Sequence, residues 1–130
     1  MIHRLTLPAI MLLAACSATT PSQADPGGSK WTFVAIDGQP PVSSKASLSF
    51  EQDRIGANVG CNGMGGDLKI EQGRLITGPI ISTQMYCDGL MDQERAVADL
   101  LGAKPRFFIA GERMVIHSDK HKAELVRQKD

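Results

Sequence analysis

SLSFEQDRIGANVG, residues 47–60, is written with a period of two. Leu48 and Phe50 alternate with Ser47, Ser49 and Glu51, and after Gln52-Asp53 the alternation resumes at Ile55, Ala57 and Val59. Strand side chains point to opposite faces in turn, so this pattern predicts two half-buried strands joined by a tight turn. The same punctuation recurs on both sides. Trp31, Phe33 and Ala35 share one face before the Asp37-Gly38 turn, and Leu68 and Ile70, then Leu75 with Ile76, flank Gln72-Gly73. Phe107 to Ala110, a Gly111-Glu112 turn, Met114 to His117 and Ala123 to Arg127 complete the set. One stretch reads as helix. Asp88 is a candidate N-cap, Leu90, Met91, Val97, Ala98 and Leu101 fall on one face, and Gly102 with Pro105 supplies the stop. Asp92, Gln93, Arg95 and Asp99 occupy the outer face. The expected fold class is α+β, with about eight short antiparallel strands in a curved or partly closed sheet packed on one main helix.

The chain has 130 residues, 42% hydrophobic and 22% charged, which suits one globular domain and excludes global disorder or a polytopic membrane protein. Fourteen Lys and Arg balance fourteen Asp and Glu, with no basic run to follow a phosphate backbone, so no nucleic-acid partner is expected.

Residues 1–16, MIHRLTLPAIMLLAAC, place a short basic start (His3, Arg4) before an apolar stretch from Leu5 to Leu13 and then small residues. That is the build of an export signal. The run is about half the 20 residues a spanning helix needs and contains Pro8. Leu13-Ala14-Ala15-Cys16 resembles the lipobox of bacterial lipoproteins, in which cleavage precedes a lipidated Cys. The alternative is an ordinary cleaved signal with a chance cysteine. On the lipoprotein reading, residues 1–15 are a signal peptide, and Cys16 carries acyl chains sufficient for stable membrane attachment. Residues 16–29 are a lipidated Cys and flexible tether, Ser- and Pro-rich with no large apolar side chain. Residues 30–130 form the folded domain. The expected location is the outer membrane with the domain facing the periplasm, because Ser17 stands where Asp favours inner-membrane retention.

Two further cysteines, Cys61 and Cys87, make an even number in an oxidising compartment, for which a disulfide is the simplest account. Free thiols and metal ligation are the alternatives; two thiolates alone do not complete a structural zinc site. Residues 60–66, GCNGMGG, carry four glycines and read as a structural crossover or a ligand cradle, with a backbone at positive φ or in close approach to another segment. The Lys of a phosphate-binding loop is missing there. A nucleophilic Cys61 with His117 as base is a remoter reading.

From Gly60 to Leu101 the sequence resembles the META domain, or HslJ-like, family. The carriers are Gly60-Cys61-Asn62 after a strand, Ser82-Thr83-Gln84-Met85-Tyr86-Cys87, and a helix bearing Met91 and Glu94; Trp31, Phe50 and a closing hairpin near Leu125 extend the likeness. The family motif accordingly comprises Gly60, Cys61, Asn62, Thr83, Met85, Cys87 and Glu94. The resemblance implies small exported bacterial proteins, many lipidated, linked to heat-inducible expression and novobiocin resistance, without an established catalytic activity. Residues 63–67, GMGGD, stand where many relatives carry bulkier side chains.

No catalytic set, cofactor or metal site is expected. His117, Asp119 and His121 could approach one metal but read as a hairpin tip, and Met64, Met85 and Met91 read as gap-filling core rather than soft-metal ligands. Glu94 falls near the apolar stripe of the helix, where it would accept hydrogen bonds from backbone at the Gly60-Cys61-Asn62 loop. The expected function is that of a non-enzymatic, lipid-anchored envelope protein, held at the membrane through Cys16. It would bind a protein partner in stress tolerance or novobiocin resistance. The rival readings are a carrier of a small hydrophobic ligand, lined by Phe33, Phe50, Phe107 and Met91, and a thiol or redox enzyme.

Overall fold

The computed structural model describes residues 25–129; the residues read as an export signal, Cys16 and the first part of the expected tether lie outside them. Nine strands and one helix follow in order: β1 (Lys30–Ile36), β2 (Ser47–Phe50), β3 (Arg54–Asn58), β4 (Gly63–Glu71), β5 (Arg74–Thr77), β6 (Ile81–Ser82), α1 (Met91–Gly102), β7 (Arg106–Ala110), β8 (Arg113–His117) and β9 (Lys122–Arg127). Every pairing is antiparallel. The order is β3-β2-β1-β9-β8-β7-β5-β4, and β3 pairs back onto β4, so eight strands close a barrel.

The length of β4 makes closure possible. Gly63 to Asp67 pair with β3, Leu68 to Glu71 pair with β5, and β6 adds to Met64 and Gly65 on the edge opposite β3. The narrowest seam is β5–β7, a single register pair, Arg74 opposite Arg106. It is flanked by hydrogen bonds from Leu75 N to Pro105 O (2.9 Å) and from Phe107 N to Gly73 O (3.2 Å).

The protein is therefore mostly β, and the expected α+β arrangement on a main helix holds only in part. Closing the sheet lets its inward faces bury one another, as an eight-stranded barrel is just wide enough for side chains to fill. Trp31, Leu48, Phe50, Leu75, Phe107 and Leu125 meet in one cluster, to which α1 adds Val97, Leu100 and Leu101. The helix contributes one wall rather than a layer.

Two local expectations are corrected. In β1 the alternation breaks between Phe33 and Ala35, where a bulge shifts the register with β9, so Ile36 rather than Ala35 enters the core. The helix starts at Met91 with Leu90 at its N-cap and no side-chain cap; Asp88 is not the cap. Gly89 at φ +79° inserts a further turn, closed by Leu90 N to Cys87 O at 3.2 Å. The acidic charge that favours a helix start comes instead from Asp92 and Glu94 in the first turn.

Candidate functional site: the Asn62 clasp and the cleft beside the helix

The chain leaves β3 through Gly60, whose φ of +125° suits glycine, and a Cβ there would lie 2.7 Å from the Ser43 Cβ. Asn58 Oδ1 accepts the Gly60 N–H at 2.8 Å, and three residues later, at Gly63, β4 begins. Gly63 to Gly66 thus belong to a strand, which corrects their reading as a loop. Close approach explains part of the composition. A Cβ on Gly66 would fall 2.9 Å from the Pro79 carbonyl oxygen, where the chain passes from β5 to β6.

Between this turn and β4, Asn62 is 2% exposed and every polar atom of its side chain is used. Its Nδ2 donates to Met85 O and to Glu94 Oε2, both at 2.9 Å. Its Oδ1 accepts from Thr83 Oγ1 (2.9 Å) and from Met85 N (2.8 Å). Its own N–H donates to Glu94 Oε1 at 2.8 Å. Glu94, buried on the inner side of α1, therefore has both carboxylate oxygens engaged by one residue of the Gly60-Cys61-Asn62 turn, as its place beside the apolar stripe predicts. A buried carboxylate is tolerable when charge-assisted hydrogen bonds replace its water.

Cys61 and Cys87 are joined in a disulfide with Cα atoms 5.9 Å apart, which resolves the open choice among bridge, free thiols and metal ligation. Gly60, Cys61, Asn62, Thr83, Met85, Cys87 and Glu94 are thereby brought to one place. The sulfurs are bonded to each other and the carboxylate is hydrogen-bonded within the fold, so the cluster holds structure rather than offering a nucleophile.

What it holds is the segment from Ile81 to Tyr86. Thr83 N donates to Gly63 O at 3.1 Å, Met85 is tied to Asn62 through both backbone groups, and Cys87 is tied to Cys61. The segment nevertheless exposes Ile81 (75%), Met85 (57%) and Tyr86 (79%). The sequence reading placed Met85 in the core and missed Ile81 and Tyr86 as surface groups. For Tyr86 the available signal was its position beside Cys87, since a disulfide-pinned segment need not bury its apolar side chains to stay ordered; Ile81 is held by its pairing with Gly65 of β4.

The histidines lie in a different region. His121 Nδ1 is 2.7 Å from Asp37 Oδ2, and Nε2 is 4.0 Å from Asp99 on α1. Burial pulls the Asp37 carboxyl upward, but hydrogen bonds from the Lys122 N–H and from His121, with the His121 charge, hold it below the ordinary aspartate value. His117 stacks on Phe108 with centroids 5.7 Å apart and planes at 8°. Between α1 and the β8–β9 turn lies a cleft of about 710 Å³ walled by Arg74, Asp99, Arg106, His117, Asp119 and Lys120, among others.

Comparison with known proteins agrees with this architecture. An NMR structure of a protein from Burkholderia xenovorans superposes with a TM-score of 0.67 at 18% identity, covering 87% of this chain and 94% of the other. A second NMR structure gives a TM-score of 0.68 at 16% identity, covering 76% and 88%. At such identities the likeness is one of fold. A search of curated proteins gave no match. The META domain model matches residues 24–130, which includes the whole barrel, its helix and the Asn62 clasp. The chain belongs to the META domain family.

Proposed function

We propose that this protein is a lipid-anchored, non-enzymatic component of the cell envelope that binds a partner protein through the Ile81–Tyr86 segment, in tolerance of envelope stress or of an antibiotic such as novobiocin. The observation that carries this reading is the pairing of exposure with rigidity. Three large apolar side chains stand in solvent on a segment held by the disulfide and by Asn62, so binding would cost little ordering entropy. Exposed apolar and aromatic groups of this kind are typical anchors of protein interfaces. The anchor itself rests on Leu13-Ala14-Ala15-Cys16 and the tether after it.

A carrier of a hydrophobic ligand has less support, because Phe33, Phe50 and Phe107 pack into the filled core and Met91 stands outside that cluster. A thiol enzyme would need a free thiolate, whereas Cys61 and Cys87 are bonded.

The test is complementation of a strain lacking the gene, scored as survival of heat and of novobiocin, with the intact mass of the membrane-purified protein measured alongside. The wild type should carry three acyl chains on Cys16 and restore survival. A double variant, Met85→Ser with Tyr86→Ser, should be lipidated and folded yet fail to restore it. Full rescue by that variant would refute the segment as the binding surface, and an unlipidated wild type would refute the anchor.

A further inference from the structure

The register of the barrel aligns four basic positions across four neighbouring strands. Arg74 of β5 lies opposite Arg106 of β7, Arg106 opposite His117 of β8, and His117 opposite Lys122 of β9. Register partners share a face, and this row faces outward, since the adjoining row of Phe107, Ile116 and Ala123 is buried. Like charges placed directly opposite one another destabilise a sheet. Here two arginines meet at the one register pair that joins β5 to β7.

The protein does not neutralise them. Arg74 Nη1 donates to the Lys104 carbonyl at 2.9 Å, and the side chains of Arg106 and Lys120 have no hydrogen-bond or ion-pair partner among the described residues. Lys122 reaches Glu124 at 3.5 Å. Arg74, Arg106, His117 and Lys120 all wall the cleft of about 710 Å³ beside α1, and His117 also borders a neighbouring open pocket, where it stacks on Phe108.

The acidic groups around the row limit what could bind. Asp37, hydrogen-bonded to Lys122 N and His121, closes one end, and Glu71, opposite Arg74, closes the other. Asp99 faces His121 from the helix, and Asp119 sits on the turn. A long polyanion would run into these carboxylates. A short one could reach Arg106 and Lys120, whose side chains carry no ion pair among the described residues, while Asp99 and Asp119 on the cleft wall limit its size and charge.

We propose that the Arg74–Arg106–His117 row, with Lys120, is a binding site for a small soluble oligoanion that carries two or more phosphate or carboxylate groups. This inference is independent of the Ile81–Tyr86 reading, because the row lies on β5, β7, β8 and β9.

The experiment titrates the full chain, in neutral detergent at physiological ionic strength, with inorganic tripolyphosphate and with orthophosphate, followed by calorimetry. Tripolyphosphate should bind about tenfold more tightly than orthophosphate, because it engages more than one cation. Arg106→Gln and Lys120→Gln should each weaken it about tenfold with a melting temperature no lower than that of the wild type. Lys69→Gln, an exposed charge on β4, should leave it within about twofold. No binding by the wild type, equal affinity for the two anions, or equal loss with Lys69→Gln would each overturn the proposal. Should one row variant fail to fold, the other carries the test, since Arg106 lies on a strand and Lys120 on a turn.

Discussion

The Asn62 clasp and the basic row beside α1 treat polar groups in opposite ways. At the clasp, one asparagine and one glutamate are buried and each of their side-chain polar atoms has a partner. At the row, two arginines oppose each other in solvent and Arg106 is left without an acceptor among the described residues. A buried group must be satisfied internally or the fold loses free energy, so the clasp is explained by stability alone. An exposed group is under no such demand. A like-charge row that water merely tolerates is therefore where stability stops explaining the residues and binding becomes the better account.

Substitutions can break or sharpen that contrast. The largest effect is expected of Asn62→Ala, which strands the Met85 backbone and a Glu94 oxygen and should cost about 4 kcal/mol in denaturant unfolding of the oxidised protein. A loss below about 1 kcal/mol would mean that water replaces the clasp. Next comes Cys61→Ser with Cys87→Ser. Opening a bridge across a sequence separation of 26 should cost about 3.5 kcal/mol on the chain-entropy account, read as a lower denaturation midpoint with a folded spectrum retained.

A smaller effect is expected on the acid side of the stability profile. The Asp37 pKa is depressed in the folded state, so its contribution is present above the unfolded value near 3.8 and is lost as pH falls through the lower folded value. Asp37→Asn should flatten the profile below about pH 4, by less than about 1 kcal/mol because 39% of the side chain remains in solvent. Unchanged acid unfolding in this variant would remove Asp37 from the account. The smallest effect, and one of opposite sign, is expected of Arg106→Gln, which relieves the like-charge pair and should leave stability unchanged or raised by about 0.5 kcal/mol. Destabilisation by more than about 1 kcal/mol would show that Arg106 is structural and erase the contrast.

Particular residues show how far the sequence could be read. The β2 and β3 alternation of Leu48, Phe50, Ile55 and Ala57 survives intact, because a short hairpin obeys local rules. Gln72 and Gly73, both at positive φ, form the expected tight turn between β4 and β5. Glu94 was legible as a buried acceptor because a carboxylate beside an apolar helical stripe has few other solutions. Ile36 was not legible in place of Ala35, since the bulge that exchanges them is imposed by pairing with β9, most of a chain length away. The central role of the Asn62 side chain was hidden for a similar reason. Nothing local distinguishes an asparagine with one partner from one with four.

The amino-acid sequence by itself determined the order of the strands apart from β6, the place of α1, the cysteines available for a bridge and the membership of the motif residues in one family pattern. The first three follow from periodicity, turn chemistry and spacing, which act over a few residues at a time, and the last from the resemblance of the motif to a known family. Only the tertiary structure decided that β3 closes onto β4, that Cys61 is bonded to Cys87, that Ile81 and Tyr86 stand in solvent, and that Arg74, Arg106, His117 and Lys122 fall into one row. Those outcomes depend on register between strands remote in sequence. Register is set by the summed burial of the whole barrel, and no local segment carries that sum.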